Sequence, residues 1–180
     1  MSTQNEEQES PQTVYIHDVL APHLDVIFVG AAASHSSARA GHCYAGPTNK
    51  FWLLLFQSGF TPRKLRPEED GDVLQYGIGL TCLYPHLATS ANHLLPAPTA
   101  DRRRQLQEKL LQFQPRFLCF NGKDVYQMAT GKVCTDWGEQ EERIGASRVF
   151  VVHSSSARAD HWGAERLALY RELYALVHSK

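Results

Sequence analysis

The sequence lacks any apolar run long enough to cross a membrane as a helix. Such a helix needs about 20 consecutive apolar residues, and polar or charged residues break every apolar stretch of the 180-residue chain well before that length. The amino terminus also lacks the basic start and apolar core of a secretory signal peptide. We therefore expect a cytoplasmic protein with no membrane partner.

Closely spaced cysteines are also missing. The four cysteines are Cys43, Cys82, Cys119 and Cys134, and none lies within three residues of another. Zinc and iron–sulfur sites usually contain at least one close pair, although distant residues can converge in a fold. The spacing therefore favours four reduced, mostly buried thiols, and we predict no metal site and no cofactor.

An excess of positive charge, which would point directly to a nucleic-acid partner, is absent as well. The formal net charge is −1, whereas contacts to phosphate need cations. Residues 1–13 are polar, nearly free of large apolar groups and carry three glutamates, so they predict a disordered tail. Residues 14–180 then form a single domain with a charge near +2, and charge alone neither supports nor excludes DNA binding.

The pattern of apolar residues predicts alternating strands and helices. Runs rich in branched and aromatic side chains predict buried strands at residues 24–30, 76–83, 116–121 and 148–152. Helical patterns predict helices at 48–58, at 101–113, after Gly122 and over the last fifteen or so residues, whereas 31–46 and 61–72 read as loops. This order predicts a three-layer α/β/α sandwich around a central, mostly parallel sheet of about four strands.

Two loops at one rim of this sheet have the composition of a binding site. Ligands of open parallel sheets bind beyond the carboxyl ends of the strands, where the loops after Gly30 and Val152 would lie. Both loops combine tiny residues, hydroxyl groups and isolated basic or aromatic side chains. Small residues allow a close approach to the backbone, and serine hydroxyls with free helix amides bind phosphate.

The spacing within these loops resembles a known family. The first loop resembles the first motif of the mismatch-specific uracil/thymine-DNA glycosylases, which form family 2 of the uracil-DNA glycosylase superfamily. The residues that carry this resemblance are Gly30, Gly41, Tyr44, Gly46-Pro47, Asn49 and Phe51-Trp52. The segment from Ser154 to Arg158 resembles the second motif in its thymine-glycosylase form. Intervening segments, including Gln114-Pro115-Arg116 and Phe120-Asn121-Gly122-Lys123, follow in the family's order.

The resemblance implies the fold and the reaction of that family. The protein would be a monofunctional DNA glycosylase that flips uracil, thymine or another damaged base out of mismatched double-stranded DNA. Hydrolysis of the N-glycosidic bond would leave an abasic site. We expect a monomer that works in the nucleoid-associated cytoplasm, with damaged duplex DNA as its partner.

The resemblance also assigns roles to individual residues. The base-binding positions would be Gly30, Ala31, Tyr44, Asn49 and Ser154, with Tyr44 stacking on the flipped base. The DNA-binding positions would be Ser36, Ser37, Lys123, Ser155, Ser156, Ala157 and Arg158, with Arg158 entering the gap in the duplex. Each assignment has an ordinary structural alternative, because tyrosines fill cores, serines cap helices, and lysines and arginines cover surfaces.

The first motif departs from the family at the position that matters for hydrolysis. The family reads Gly-Ile-Asn-Pro-Gly and its Asn positions the water, whereas residues 30–34 here read Gly-Ala-Ala-Ala-Ser. Ala32 therefore occupies the place of the missing Asn. The remaining catalytic candidates are Cys82, whose thiol is a poor base at its ordinary pKa of about 8.5, and His42. Loss of a general base typically slows a reaction by ~10²–10⁴-fold, which leaves residual activity.

Two further functions stay open at this point. A non-catalytic protein that binds mismatches or abasic sites would share every binding feature and lack turnover. A serine hydrolase could use one of the serines at 154–156 with His153 and Asp160, although the Gly-x-Ser-x-Gly elbow of many such enzymes is absent.

Overall fold

A five-stranded sheet lies at the centre of the computed structural model, which describes residues 15–89 and 95–179. The strands are β1 (Val26–Ser34), β2 (Ile78–Thr89), β3 (Phe117–Asn121), β4 (Gly138–Ile144) and β5 (Ser147–Val152). Their spatial order is β2-β1-β3-β5-β4, and only β4 pairs antiparallel to its neighbour. The predicted mostly parallel α/β sheet is confirmed. The predicted tail, residues 1–13, lies outside the described residues.

Helices cover both faces of the sheet. They are α1 (His35–Ala40), α2 (Phe51–Ser58), α3 (Ala100–Phe113), α4 (Lys123–Thr130) and α5 (Gly163–His178), together with 3₁₀ helices at Pro67–Tyr76 and Ala157–Trp162. On one face, Val26 and Phe28 of β1 pack with residues of α2 and α5. On the other, Ile27 and Val29 pack with residues of α3 and α4. The predicted three-layer sandwich is therefore confirmed.

The boundaries of several elements differ from their predicted positions for local reasons. α2 begins at Phe51 rather than residue 48, because the Asn49 side chain accepts a hydrogen bond from the Phe51 amide at 2.9 Å. β1 continues through residues 31–34, and α1 follows directly, within a segment predicted as a loop. The predicted connection at 61–72 overlaps the first 3₁₀ helix. β4 was missed because it is a polar edge strand in which exposed and partly buried residues alternate after Gly138.

Residues 15–20 run along the outer side of β2. Val19 and Leu80 form an antiparallel bridge in which each amide donates to the other's carbonyl, at 2.9 and 2.8 Å. The Ile16 amide donates to the Pro85 carbonyl at 3.2 Å. This N-terminal segment is therefore fixed beside the strand end that faces the loops. Within the described ranges, no helix is long and apolar enough to cross a membrane.

Candidate active site

A cavity of about 840 Å³ opens beyond the carboxyl ends of β1, β2, β3 and β5. This is the rim at which ligands of open α/β sheets bind, and the volume falls within the usual range for small-molecule sites. The predicted site residues that line it are Gly30, Ala31, Ala32, Ser37, Tyr44, Asn49, Cys82, Ser154, Ser155 and Arg158. The other described residues that were predicted for the site lie outside this lining; they are Ser36, His42, Lys123, Ser156 and Ala157.

Tyr44 is held rigidly in the cavity wall. Its ring stacks on the fully buried Phe51 with centroids 3.9 Å apart and an angle of 22° between the planes. Its backbone adopts a left-handed conformation, with φ of 54°. A Cβ atom at Gly30 would lie 3.2 Å from the Tyr44 hydroxyl, so glycine allows this close approach to β1. Burial raises the pKa of Tyr44 well above its usual range, and the hydroxyl therefore stays protonated at neutral pH.

Asn121 ends β3 with a buried amide at the cavity. Its Nδ2 donates to Ser155 Oγ at 3.0 Å, and its Oδ1 accepts from the Ser155 amide at 3.0 Å. The side chain is 8% exposed. Sequence reasoning placed Asn121 within the family's order but not in the site. The available signal was a polar residue directly after an apolar strand at the predicted rim.

A buried arginine braces the loop that follows β5. Arg166 of α5 is 4% exposed, and its Nη1 donates to the carbonyls of Ser154 and Ser156 at 3.0 and 3.2 Å. Its Nη2 donates to Asp160 Oδ1 at 3.0 Å. Within the loop, the Ser156 amide donates to Ser154 Oγ at 3.2 Å. These contacts fix the backbone of the second motif. Arg166 was missed because an arginine in an amphipathic helix is typical of a solvent-exposed face.

His153 packs beside the loop in an aromatic stack. Its ring lies 3.8 Å from that of Trp137 and 4.9 Å from that of Trp162, measured between centroids. It is 1% exposed, and its Nε2 lies 3.7 Å from a Glu165 carboxylate oxygen. Burial lowers the pKa of His153. Because Asp160 pairs with Arg166, the two partners suggested for a serine hydrolase are both engaged by other residues.

The predicted catalytic positions differ in what they offer. Ala32 lines the cavity with a methyl group, next to an irregularity in the β1–β2 pairing. Burial, together with the charge of Asp18, raises the pKa of Cys82 to about 11, so its thiolate is scarce at neutral pH. His42 Nδ1 lies 3.3 Å from Asp70 Oδ2, which also accepts from the Cys43 amide at 3.0 Å. His42 is therefore oriented by Asp70 at a position outside the cavity lining.

The predicted DNA-contacting residues differ in their surroundings. Ser37 lies at the start of α1, where its amide donates to Ser34 Oγ at 3.1 Å and its own Oγ accepts from the Ala45 amide at 2.9 Å. Arg158 is an exposed residue of the cavity lining. Lys123 instead donates to the Thr135 carbonyl and lies 4.4 Å from the centroid of the Trp137 ring.

Asp18, from the N-terminal segment, adds a carboxylate to the cavity wall. Its Oδ1 accepts from Thr81 Oγ1 at 2.6 Å, and its Oδ2 lies 2.6 Å from Lys109 Nζ. Sequence reasoning missed this residue because its partners are distant along the chain. Among residues 15–89 and 95–179, no group of three or more His, Cys, Asp or Glu side chains is placed to hold a metal ion.

The chain has relatives both in sequence and in structure. The family model of the uracil DNA glycosylase superfamily matches residues 17–178. The solution NMR structure of a candidate uracil DNA glycosylase from Methanosarcina acetivorans superposes with a TM-score of 0.58 at 18% sequence identity, covering 90% of this chain and 98% of that one. The structural likeness at this identity concerns the fold alone. Because the family match spans nearly the whole chain, the protein belongs to the uracil DNA glycosylase superfamily.

Proposed function

We propose that this protein is a monofunctional DNA glycosylase that excises uracil, or a related damaged base, from mismatched double-stranded DNA. It would flip the nucleotide out of the duplex, hydrolyse the N-glycosidic bond and leave an abasic site. The observation that carries this proposal is the pairing of a rigid aromatic ring, Tyr44, with a buried amide, Asn121, in one cavity of a superfamily member.

The amide of Asn121 suits the edge of a uracil ring. After its two bonds to Ser155, the side chain has a second N–H donor, which acts on the Tyr44 hydroxyl and opposes the rise of its pKa, and one lone pair on Oδ1. Uracil presents a carbonyl acceptor next to a ring N–H donor, so both can pair with one amide. Cytosine presents the reverse order at the same positions, an amino donor beside a ring acceptor. The bonds to Ser155 fix the amide's orientation and thereby support selection of uracil over cytosine.

Tyr44 would support both binding and departure of the base. Stacking of a base on an aromatic side chain contributes about 1–3 kcal/mol, and Phe51 keeps the tyrosine ring in place. Because burial keeps the Tyr44 hydroxyl protonated, it can donate a hydrogen bond to a base that leaves as an anion. Fixed donors of this kind stabilise charge that develops in the transition state.

The loops at the rim would hold the DNA. Arg158 is exposed in the lining, one residue into the 3₁₀ helix Ala157–Trp162, where it can enter the gap left by the flipped nucleotide. Opening a base pair costs a few kcal/mol, and a side chain that fills the gap offsets part of that cost. Since the described residues that line the cavity include no lysine, a Schiff-base route to strand cleavage lacks support. We propose an atypical member of the mismatch-specific family in which Ala32 replaces the water-positioning Asn.

A labelled oligonucleotide assay tests this function. Wild-type protein is incubated with duplexes that carry one uracil, thymine, hypoxanthine or ethenocytosine opposite guanine, and with the matching single strands. We expect strand breaks at uracil only after alkaline treatment, and no covalent complex after borohydride reduction. Folded protein that releases no base from any of these substrates would contradict the proposal.

A non-catalytic binder of mismatches or abasic sites remains the second candidate. Two observations favour it, because Ala32 carries no polar group and the raised pKa of Cys82 keeps its thiol protonated. Tight binding to an abasic-site duplex combined with no release of base from the substrate panel would establish this alternative.

A further inference from the structure

We propose that Asp18, from the N-terminal segment at residues 15–20, orients the water that attacks the sugar and so replaces the polar side chain missing at Ala32. This role rests on the proposed glycosylase function. Neither the first nor the second motif contains Asp18. Its carboxylate lines the same cavity as Tyr44 and Asn121.

Pairing of the N-terminal segment with β2 places Asp18 at the correct end of the sheet. The bridge between Val19 and Leu80 fixes the residue that follows Asp18, and the bond from Thr81 Oγ1 fixes the carboxylate itself. In the register of β1 and β2, Cys82 lies opposite Gly30 and Tyr84 lies opposite Ala32. Thr81, which bonds to Asp18, lies opposite Val29, so Asp18 borders β2 one residue before the cavity-lining pair of Gly30 and Cys82.

The negative charge of Asp18 also affects the pKa values of the thiols that line the cavity. Burial is the main reason that the pKa values of Cys43 and Cys82 are raised, and the negative charge of Asp18 raises both further. Both thiols line the cavity. Asp18 therefore shares one cavity with thiols from two different walls, Cys43 of the loop after α1 and Cys82 of β2.

The partners of Asp18 leave it able to hold a water molecule. A carboxylate has about four lone-pair sites, of which Thr81 and Lys109 occupy one on each oxygen, both at 2.6 Å. An ionised carboxylate only accepts hydrogen bonds. A water bound to Asp18 therefore donates a proton to it and directs a lone pair elsewhere, toward the sugar.

The chemical step balances with water as the sole co-reactant. The water oxygen bonds to C1′ of the sugar while the bond between C1′ and the base nitrogen breaks, and that electron pair leaves with the base. One water proton passes through Asp18 to solvent, and the base anion takes up a proton from solvent. The negative charge of Asp18 also stabilises the positive charge that develops on the sugar.

Asp124 is the other carboxylate among the described residues of the lining. It lies exposed in the first turn of α4, which follows β3, a strand that is not adjacent to β2. Asp18, in contrast, is half-buried and fixed by Thr81 and Lys109. Preorganised groups contribute more to catalysis than mobile ones, and this difference favours Asp18.

Single-turnover kinetics on a G:U duplex test the proposal. Asp18→Ala is expected to lower the maximal rate at least 100-fold, in line with typical acid–base contributions of ~10²–10⁴-fold, and to leave the DNA concentration for half-maximal rate within about threefold. Asp18→Asn keeps an acceptor oxygen and should lose about tenfold. Lys109→Met keeps the carboxylate but removes the partner that fixes it, so its rate should fall between those of wild type and Asp18→Ala. Glu108→Gln is the matched control, because it makes the same carboxylate-to-amide change beside Lys109 but outside the cavity lining, and its rate should stay within about threefold of wild type.

The outcomes separate this role from the proposed function. A rate order of Asp, then Asn, then Ala, with Lys109→Met between wild type and Asp18→Ala and Glu108→Gln close to wild type, supports Asp18 as the water-orienting group. Full activity in Asp18→Ala, or a loss in Glu108→Gln as large as that in Asp18→Asn, overturns it while uracil excision stands. A wild-type protein that releases no uracil overturns the function and this role together. If Asp18→Ala does not fold, the tenfold loss expected for Asp18→Asn decides the matter.

Discussion

Replacing Asn121 with alanine removes both side-chain bonds that join the end of β3 to the loop after β5. The two bonds measure 3.0 Å, and Ser155 is fully buried. A buried hydrogen bond contributes about 0.5–1.5 kcal/mol to stability, and an amide left buried without an acceptor costs about 1–3 kcal/mol. These contributions overlap, and we expect Asn121→Ala to lower the free energy of unfolding by about 2–4 kcal/mol.

Ser155→Ala provides a matched variant for this prediction. It removes the hydroxyl but leaves the Ser155 amide bonded to Asn121 Oδ1, so the expected loss is only about 1 kcal/mol. Because the two residues share their bonds, the double variant should lose less than the sum of the single losses, by about 1 kcal/mol. Urea unfolding followed by tryptophan fluorescence measures all four proteins.

Measuring the rate of uracil release distinguishes the contribution of Asn121 to stability from its contribution to catalysis. At a temperature where all variants are folded, Asn121→Ala should slow uracil release by ~10²–10³-fold, as expected for the loss of a donor that stabilises developing charge. Ser155→Ala should slow it by less than tenfold. An Asn121→Ala protein within about 0.5 kcal/mol of wild type in stability would refute the reasoning, since the buried amide of Ser155 would then have another acceptor.

Three further predictions concern other residues of the site. Ala32→Asn, introduced into the Asp18→Ala protein, should raise the single-turnover rate on G:U about tenfold, because it returns an acceptor to the place of the family's asparagine; an unchanged rate would show that position 32 does not reach the water. Arg158→Ala should slow excision from paired uracil far more than from single-stranded uracil, since only the duplex has a stack to refill; equal losses would indicate a phosphate contact instead. The lowered pKa of His153 means that the unfolded chain binds more protons between the two pKa values, so this contribution to stability is complete above pH ~6.5 and falls as the pH drops further; urea midpoints should therefore decline less from pH 7 to pH 5 in His153→Phe than in wild type, and parallel declines would argue against it.

The layers of the fold were predictable because the central strands carry their own signal. Residues 26–29 and 117–120 are buried on both faces of the sheet, and parallel strands in this setting are continuous apolar runs. β4 has no such run, since it pairs on one side only and exposes Glu139, Glu141 and Arg143. Its position depends on β5, and the polar sequence of β4 does not reveal that partner.

The candidate site was predictable only in part, for a related reason. Tyr44 and Ser154 were found through short motifs, in which neighbouring residues fix each other's positions. Asp18 and Arg166 act through contacts between segments that the chain separates widely, and each is a charged residue whose partners become visible only in the fold. The periodicity of apolar residues indicates which face of a helix or strand is buried. It does not indicate which charged side chain will pair with a residue from a distant segment.

The two borders of the sheet determine whether copies of this protein can associate by pairing their strands. An unpaired strand edge is a template on which another chain can add a strand, and charged side chains oppose such pairing. Along β2, the bridge to Val19 and the bond from Ile16 occupy part of that border. Along β4, the charged side chains of Glu139, Glu141 and Arg143 face solvent. Both borders therefore disfavour association of two copies through added strands.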